Sequence, residues 1–373
     1  MKLSINKIIT LLILFIISIF SIVLFFKEKK EFSPNENRYL KTKVEFSIER
    51  LLNKKFISDF ENLLTDQFPL RDNFINIKTS VDKILGKEDQ QGVYFSKNGY
   101  LIERYNKPKN NDKLINKLNK FASEVNYVNF NLMLVPTSIT INYNLLPKNA
   151  ITYNQMDTIK YIYDNINFDT INLYDTFNEH KDDYQLFYKL DHHWTSYGAY
   201  YAYSEYCNHN NITPIKLGHF DIEEVSNSFY GTLYSKTGDY FKKPDSIHKF
   251  SYGNPLLDVE YVYEKKITHS LYEEKYLNEK DKYSYFLDNN HPLIIITNND
   301  IKNNNELIII KDSYANTFVP FLVNHYKKIH IIDPRFYKMS IIEYIKDNKS
   351  IKDGLFLYNV NTIDNDTGIF SIR

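Results

Sequence analysis

The longest apolar run of the chain lies at its N-terminus. Residues 8–26 (IITLLILFIISIFSIVLFF) carry no charge and are long enough to cross a bilayer as a helix. The run has no A-x-A-like cleavage site and is followed directly by residues 27–30 (KEKK), which favours an uncleaved signal anchor over a signal peptide. These lysines rival Lys2 and Lys7 under the positive-inside rule, so charge alone does not fix the orientation. We predict a transmembrane signal anchor over residues 1–26, with the main domain outside the cell.

Residues 27–90 are predicted to form a linker followed by a helical neck. The first part is charged and polar, whereas apolar side chains recur at helical spacing from Ser47 to Leu85. Pro69 is expected to end or kink one helix, and Asp72 or Asn73 to cap the next.

From residue 91 the pattern becomes that of an α/β domain, which we predict over residues 91–373. The short apolar runs 93–95 and 100–102, separated by SKNG, indicate a hairpin with Asn98-Gly99 in the turn, and Lys113–Val125 has the spacing of an amphipathic helix. Apolar runs bounded by turn residues predict buried strands at Asn129–Val135, Leu293–Thr297, Leu307–Ile310, Ile329–Ile332 and Leu355–Tyr358. Helical segments after several of these runs predict a mainly parallel sheet flanked by helices. Residues 212–290 are turn-rich and aromatic, and are predicted to be a mixed insertion with short strands.

Composition and charge narrow the functional classes. The 373 residues are 43% hydrophobic and 25% charged, as in a globular protein with a sizeable core. Lys+Arg and Asp+Glu balance at 46 each, so no overall field points to a nucleic-acid partner. The single cysteine, Cys207, excludes an intrachain disulfide. The 32 tyrosines could stack on sugar rings, although most are expected to fill the core.

The sharpest local feature is Asp191-His192-His193-Trp194. In an extended segment residues two apart point to the same side, so Asp191 and His193 are expected to share a face while His192 points away. A carboxylate beside an imidazole is what a general base needs, because it fixes the tautomer and stabilises the imidazolium. The alternatives are a metal site, a surface loop without chemistry, or a core histidine under Trp194. Adjacent histidines are expected to diverge and no spaced ligand set follows, so we predict neither a metal nor a cofactor.

Ser313 is the candidate nucleophile. It lies in a turn between the buried run 307–310 and a helical pattern that starts at Tyr314. A serine there presents its oxygen at the sheet edge, where the helix dipole and free backbone N–H groups favour developing negative charge. The alternative is that Ser313 is only the helix N-cap.

The D-H-H-W run and the later segment 311–322 (KDSYANTFVPFL) resemble the DHHW protein family. That family is similar to the SGNH-hydrolase-like O-acetylation proteins of bacterial exopolysaccharide systems, the alginate acetylation type. The likeness extends from Glu36-Asn37-Arg38 and residues 66–71 (DQFPLR) to residues 333–337 (DPRFY). It implies an SGNH-hydrolase-like fold in which Asp191 orients His193, His193 is the base and Ser313 attacks.

The chain also departs from that pattern. Ser313 follows Lys-Asp rather than Gly-Asp, and the sequence has no clear Gly block or G-x-N-D block to complete an oxyanion hole. The backbone N–H of Ser313 is one expected donor, and Thr137, Ser138 and Asn359 are candidates for the second. Tyr314 and Trp194 are further candidates for substrate or oxyanion contacts. Arg335 either binds an anionic substrate group or pairs with Asp333.

The resemblance implies a serine O-acyltransferase, above all an O-acetyltransferase, or an acylesterase that acts on a cell-surface or exported polysaccharide. It also implies a membrane-bound O-acyltransferase partner, because acetyl-CoA is cytoplasmic and this domain is not. The alternative is a non-catalytic glycan-binding or scaffold protein of the cell envelope with the same fold. The missing Gly and Asn blocks and the abundance of tyrosine support that alternative.

Overall fold

The structure is a computed structural model that describes residues 4–373. Residues 1–3 of the predicted anchor, with Lys2, lie outside the described residues. The helices, α1 to α12 in chain order, are Ile5–Phe26, Ile48–Leu52, Lys55–Asp66, Arg71–Ile84, Asn111–Glu124, Ser138–Ile141, Gln155–Asn165, Tyr174–His180, Ser196–His209, Thr232–Thr237, Ala315–Leu322 and Ile341–Asp347. The strands, β1 to β15, are Phe32–Ser33, Arg38–Tyr39, Asp89–Gln90, Val93–Phe95, Leu101–Glu103, Asn129–Val135, Asp169–Ile171, Asp221–Phe229, Asp245–Ser251, Leu257–Tyr261, Lys266–Thr268, Leu293–Asn298, Glu306–Lys311, Lys328–Ile332 and Ile351–Asn359.

Helix α1 is the predicted apolar run. Its 22 residues rise about 33 Å at ~1.5 Å per residue, which matches the thickness of a bilayer core. Within residues 4–373 it is the one helix long and apolar enough to cross a membrane. A single N-terminal helix of this kind is what a signal anchor or a signal peptide requires.

The described chain divides into two compact units, one made of residues up to 87 with 234–242 and the other of residues 88–233 with 243–373. In the first unit, the Arg38 guanidinium donates to both oxygens of Asp66 at 2.5 and 3.1 Å, and Asp66 also accepts from the backbone N–H of Lys41. Glu36 accepts from Arg38 at 2.9 Å and from Arg71 at 3.2 Å. The two N-terminal segments that carried the family resemblance therefore pair with each other.

The predicted break at Pro69 is confirmed, since it separates α3 from α4. The predicted cap is wrong: α4 begins at Arg71, directly after Leu70, whose φ is 58°. The chain turns sharply at this left-handed residue, so Asp72 already lies in the first helical turn, where its carboxylate accepts from Asn35.

The second unit is built on a central sheet with strand order β11-β10-β12-β14-β13-β15-β6-β7. Strands β14, β13, β15, β6 and β7 run parallel to one another, whereas β12, β10 and β11 extend the sheet beyond β14 through antiparallel pairs. The carboxyl ends of the parallel strands meet at one sheet edge, and the turn that carries Ser313 follows β13 there.

Apolar side chains of the sheet alternate between two cores. In β13, Leu307 and Ile309 belong to a core that also contains Phe318 of α11, while Ile308 and Ile310 belong to the core on the other face. Helices α8, α9 and α11 cover the first face, and α5, α7 and α12 cover the second. Because both faces are buried, the strands are nearly continuous apolar runs, as parallel sheets require.

Strands β1 to β5, which lie outside the central sheet, are only two or three residues long. The predicted hairpin is present, with β4 antiparallel to β5 and Asn98 in a left-handed conformation at φ 55°. Within residues 212–290, β8 and β9 pair only with each other, whereas β10 and β11 join the central sheet. The 3₁₀ helix Lys282–Tyr285 follows them and leads toward the site described next.

Candidate active site

The D-H-H-W motif lies at the tip of a tight bend rather than in an extended strand. Phe187 and Trp194 form an antiparallel bridge, and Tyr188 N–H donates to the His193 carbonyl at 3.2 Å. The Trp194 ring is fully buried, and its Nε1–H donates to the Tyr314 carbonyl at 3.0 Å. Trp194 therefore joins the bend to the turn that carries Ser313, and its burial keeps it from a substrate.

Asp191, the carboxylate of the bend, takes part in four hydrogen bonds. Its Oδ1 accepts from the backbone N–H of His193 at 3.0 Å and lies 2.6 Å from His193 Nδ1. Its Oδ2 accepts from the N–H and the hydroxyl of Thr232, at 2.7 and 3.0 Å. Burial opposes ionisation of Asp191, but the nearby imidazoles and these donors outweigh it and hold the pKa of the carboxyl well below its usual range. Asp191 therefore stays ionised and holds the proton of His193 on Nδ1.

His193 is oriented for base chemistry. Its Nε2 lies 2.7 Å from Ser313 Oγ, and only 6% of the residue is exposed. Burial, reinforced by the neighbouring His192 and opposed by Asp191, lowers the pKa of His193 to about 4. The imidazole is thus neutral at physiological pH, with its free lone pair directed at the serine hydroxyl.

Ser313 is held by the residues on either side of it. Asp312 Oδ1 accepts from Tyr314 N–H at 2.9 Å, while Oδ2 accepts from the backbone and side-chain N–H groups of Asn359. Burial raises the pKa of Asp312 to about 6, although these bonds and nearby cations oppose the rise. The alternative role of Ser313 as a helix cap does not apply, because α11 starts two residues later without a side-chain cap and Ser313 Oγ contacts His193 instead.

The possible oxyanion donors differ in whether their N–H and O–H groups already have hydrogen-bond partners. The Ser313 N–H has no acceptor within residues 4–373 and can therefore serve an oxyanion. Asn359 cannot, because its amide hydrogens donate to Asp312 and Thr362. Thr137 is engaged with Gln155 through both its N–H and its hydroxyl oxygen. The hydroxyl of Ser138 likewise only accepts, from Asn142, so the hydroxyl hydrogens of Thr137 and Ser138 both remain available for the second donor.

Arg335 and Tyr314 also have structural partners. The Arg335 guanidinium binds both oxygens of the buried Asp333, at 2.9 and 2.5 Å, which is the pairing alternative predicted from the sequence. The Tyr314 hydroxyl donates to the His192 carbonyl, and the residue is fully buried although its ring borders the cleft beside the bend.

The prediction that His192 points away from His193 is wrong. The two rings lie 3.9 Å apart between centroids, because the chain bends at the motif instead of alternating as a strand does. His192 Nδ1 lies 2.7 Å from Thr232 Oγ1. One ligand atom from each of Asp191, His192 and His193 falls within 4.8 Å of the others, a spacing that could hold a metal ion. The Nδ1 atoms of both histidines and both Asp191 oxygens already have hydrogen-bond partners, which favours the base over the metal site.

A narrow cleft opens beside these residues. It has a volume of about 20 Å³ and is lined by Leu101, Glu103, Thr137, Ser138, Ile139, Asp191, His192, Leu233, Tyr314, Asn359 and Asn361. A larger cavity of about 590 Å³ shares Ile139 with it and is lined by Thr140, Tyr143, Ala150, Thr152, Tyr153, Asn154, Met156 and Tyr174.

Sequence reasoning missed two residues that support Asp191. Thr232 lies 41 positions further along the chain and supplies two of its donors. Gly231 lies so close that a Cβ there would be 2.3 Å from the Asp191 Cβ, so only glycine fits. The Gly-Thr pair in YGTLY was a weak signal, because a glycine needed for close approach looks like any turn glycine.

Comparisons with known proteins agree with this fold. A family profile described as "DHHW protein" matches residues 103–332. The crystal structure of a DHHW family protein from Eubacterium siraeum DSM 15702 is similar, with 24% identity, a TM-score of 0.67, and coverage of 76% of this chain and 96% of that one. Bacillus cereus PatB1 with a sulfonyl adduct has 19% identity and a TM-score of 0.61, with 74% and 95% covered. The O-acetyltransferase domain of Pseudomonas putida AlgJ has 12% identity and a TM-score of 0.47, with 76% and 95% covered. No curated protein matches the chain.

The profile match covers more than half of the chain, and the first two structures show that the fold is shared. The predicted α/β fold with a mainly parallel sheet flanked by helices is therefore confirmed.

Proposed function

This chain belongs to the DHHW family, and we propose that it is a membrane-anchored, extracytoplasmic serine O-acyltransferase, above all an O-acetyltransferase, or an acylesterase that acts on a cell-surface or exported polysaccharide. The observation that carries the proposal is the continuous hydrogen-bond chain from Asp191 through His193 to Ser313, with links of 2.6 and 2.7 Å. A nucleophile, a base and a group that orients the base are what acyl transfer requires.

In the first half-reaction, Ser313 Oγ attacks the carbonyl carbon of the acyl donor while its proton moves to His193 Nε2. The resulting oxyanion is stabilised by the Ser313 N–H and by the N-terminal end of α11. The carbon–oxygen bond to the leaving group then breaks, the leaving oxygen takes the proton from His193, and the acyl group remains as an ester on Ser313. Asp191 stabilises the transient imidazolium throughout.

In the second half-reaction, a sugar hydroxyl gives its proton to His193 and attacks the ester carbonyl, and Ser313 leaves with that proton. Water in place of the sugar gives hydrolysis. The larger cavity supports a sugar acceptor, because its described lining is uncharged and contains Tyr143, Tyr153 and Tyr174. Aromatic rings with polar tips, beside threonine and asparagine side chains, suit a ligand with apolar ring faces and hydroxyl edges.

The location follows from α1 and from the chemistry of the donor. An uncleaved α1 would tether the α/β domain at the outer face of the membrane. Acetyl-CoA is cytoplasmic, so an acetyl group must cross the membrane before Ser313 can accept it. This requirement supports a membrane-bound O-acyltransferase as the partner. Protease treatment of intact cells tests the orientation: the domain should be digested, and its full protection would contradict the proposal.

The decisive test of the chemistry is covalent labelling of the full-length protein with phenylmethanesulfonyl fluoride, a reagent class that the sulfonyl adduct of Bacillus cereus PatB1 suggests. Mass mapping should place the adduct on Ser313, and Ser313→Ala should abolish it. His193→Ala should slow labelling by about 10²-fold or more, which is the typical contribution of a general base. Ser196→Ala is a matched control, because this buried serine lies three residues from His193 and donates only to the His248 carbonyl.

Labelling of Ser313→Ala to the wild-type extent would overturn the mechanism. A folded wild-type protein with no Ser313 adduct would instead favour the glycan-binding scaffold. In cells, Ser313→Ala should lower the O-acetyl content of the surface polysaccharide, and an unchanged content would contradict transfer as the physiological reaction.

A further inference from the structure

The ring of Tyr283 stacks face to face on the imidazole of His193, the candidate base. Tyr283 lies in the 3₁₀ helix Lys282–Tyr285, is 5% exposed, and stacks on His193 with ring centroids 3.7 Å apart and planes inclined by 10°. This separation is at the lower limit of ring contact, so the phenol leaves no room for water on that side of the imidazole. Neither the D-H-H-W motif nor the serine segment contains this residue.

The hydroxyl of the same side chain reaches the nucleophile. Tyr283 Oη donates to the Ser313 carbonyl at 3.1 Å and accepts from Thr317 Oγ1 at 2.7 Å. Thr317 belongs to α11, which follows the serine turn. One side chain therefore contacts the base through its ring and the nucleophile's backbone through its oxygen.

We propose that Tyr283 is a positioning residue that holds His193 in line with Ser313, an inference that rests on the proposed function. The hydrogen bond to Asp191 holds Nδ1 of the imidazole, but the ring could still tilt and move Nε2 away from Ser313. The stacked phenol blocks this tilt on one face of the ring. The hydroxyl fixes the plane of the Ser313 carbonyl and thereby the turn that presents Oγ.

The stack also acts during the reaction. When His193 takes the serine proton it becomes a cation, which the face of the phenol ring attracts. The same ring excludes water, which disfavours the cation, and burial is the larger effect because the pKa of His193 is lowered. The titratable and charged groups that act on His193 include Asp191 and His192 from the bend, Tyr283, Tyr314 from the serine turn, and the charge of Arg335. From the segment of Tyr283, the charges of Lys280 and Asp281 act on Asp191, and that of Asp281 also acts on His192.

Two substitutions separate the ring from the hydroxyl. Tyr283→Phe keeps the stack and loses both hydrogen bonds, so we expect a loss of a few-fold in the rate constant for Ser313 acylation by p-nitrophenyl acetate. Tyr283→Leu loses the stack, and we expect a loss of about 10²-fold, the usual effect of misaligning reacting groups by ~1 Å. The KM for this small ester should change little.

Tyr285→Leu is the matched control. Tyr285 lies in the same 3₁₀ helix and the same aromatic cluster and is fully buried, but it stacks on Tyr272. Both leucine variants should lower stability, so rates are expressed per active site by sulfonyl titration of Ser313. Equal rate constants for Tyr283→Leu and Tyr285→Leu would overturn the positioning role.

A pH measurement gives a readout that lost stability would not move. Burial keeps the pKa of His193 low, so water admitted by Tyr283→Leu should raise the midpoint of the pH–rate curve toward about 6.5, the ordinary value for histidine. Tyr283→Phe and Tyr285→Leu should keep the wild-type midpoint. An unchanged midpoint in Tyr283→Leu contradicts the proposal.

Carbethoxylation of His193 by diethyl pyrocarbonate, followed by peptide mapping, tests the contact without any turnover. His193 should react faster in Tyr283→Leu than in wild type or Tyr285→Leu. If wild type acylates but Tyr283→Leu behaves like the control in both assays, only the positioning role fails. If wild type forms no Ser313 adduct, the proposed function fails, and the modification rates still decide whether Tyr283 shields His193.

Discussion

Thr232→Val is the substitution that most directly tests how Asp191 is held. Thr232 donates to Asp191 Oδ2 through its N–H at 2.7 Å and through its hydroxyl at 3.0 Å, and the hydroxyl also lies 2.7 Å from His192 Nδ1. Valine has nearly the same shape and keeps the backbone donor. The substitution therefore removes only the hydroxyl from the network.

The size of the effect follows from the number of donors that remain. A hydrogen bond to a charged group contributes about 1.5–3 kcal/mol. Asp191 keeps three donors, namely the N–H of Thr232 and the N–H and Nδ1–H of His193, so we expect the lower end of that range. A loss of about 1.5 kcal/mol corresponds to a roughly tenfold lower acylation rate constant.

The direction of the change in the free energy of unfolding follows from the pKa of Asp191. The pKa of Asp191 is depressed in the folded state, so its stabilising contribution is complete above the unfolded value of about 3.9 and is lost as the pH falls through the folded value. Thr232→Val makes this depression smaller. The free energy of unfolding should therefore be lower than in wild type at pH 7, and the difference should shrink as the pH drops below about 3.9.

Stopped-flow bursts with p-nitrophenyl acetate and urea unfolding at several pH values measure both quantities. Thr176→Val is the matched control, because the Thr176 hydroxyl donates to the Glu205 carboxylate at 2.9 Å outside the site. It should leave the burst rate unchanged. A burst rate for Thr232→Val within twofold of wild type would refute the view that this hydroxyl helps Asp191 to orient the base.

Three further outcomes follow from the site and its surroundings. The wild-type acylation rate should stay level from about pH 6 to 9 and fall only toward pH 4, since burial lowers the pKa of His193 to about 4, and a midpoint near pH 7 would contradict this. Gly231→Ala should cost at least ~10²-fold in activity and lower the melting temperature, because its Cβ would lie 2.3 Å from the Asp191 Cβ, and wild-type activity would contradict that crowding. Lys311→Met should lower the free energy of unfolding by about 1–3 kcal/mol in urea titrations, because the side-chain oxygens of Asn290 and Asn316 lose their donor while Arg335 still pairs with Asp333, and a loss below about 0.5 kcal/mol would contradict this role.

Core strands were predictable because burial on both sheet faces leaves an uninterrupted apolar run. Asn129–Val135 has the predicted bounds, and Leu307–Ile310 lacks only one residue at each end of β13. Strand direction was not predictable in this way: Leu293–Asn298 looks like its parallel neighbours in sequence yet runs antiparallel to β14. Strand β10 was not recognised, because a five-residue strand with alternating burial resembles the turn-rich segment around it.

The residues of the site were predictable, but the way they meet was not. Asp191, His193 and Ser313 lie within hydrogen-bond distance as the sequence pattern suggested, and their catalytic roles stay predictions. The expected alternation along a strand is replaced by a bend in which Asp191 accepts from the His193 backbone. Thr232 and Tyr283 were not predicted, because a side chain that supports a site from a distant segment leaves no local sequence pattern.

The bend also explains why the four motif residues occur together. Asp191 fixes the tautomer of His193, and the indole of Trp194 fixes the bend to the turn after β13 through the Tyr314 carbonyl. The distance between His193 and Ser313 thus depends on the buried Trp194, which follows His193 in sequence and bonds to Tyr314, the residue after Ser313. Tyr314 completes the link by donating to the His192 carbonyl. These contacts join two segments that are 120 residues apart in sequence. A substitution of Trp194 should therefore shift His193 relative to Ser313 although both residues are unchanged.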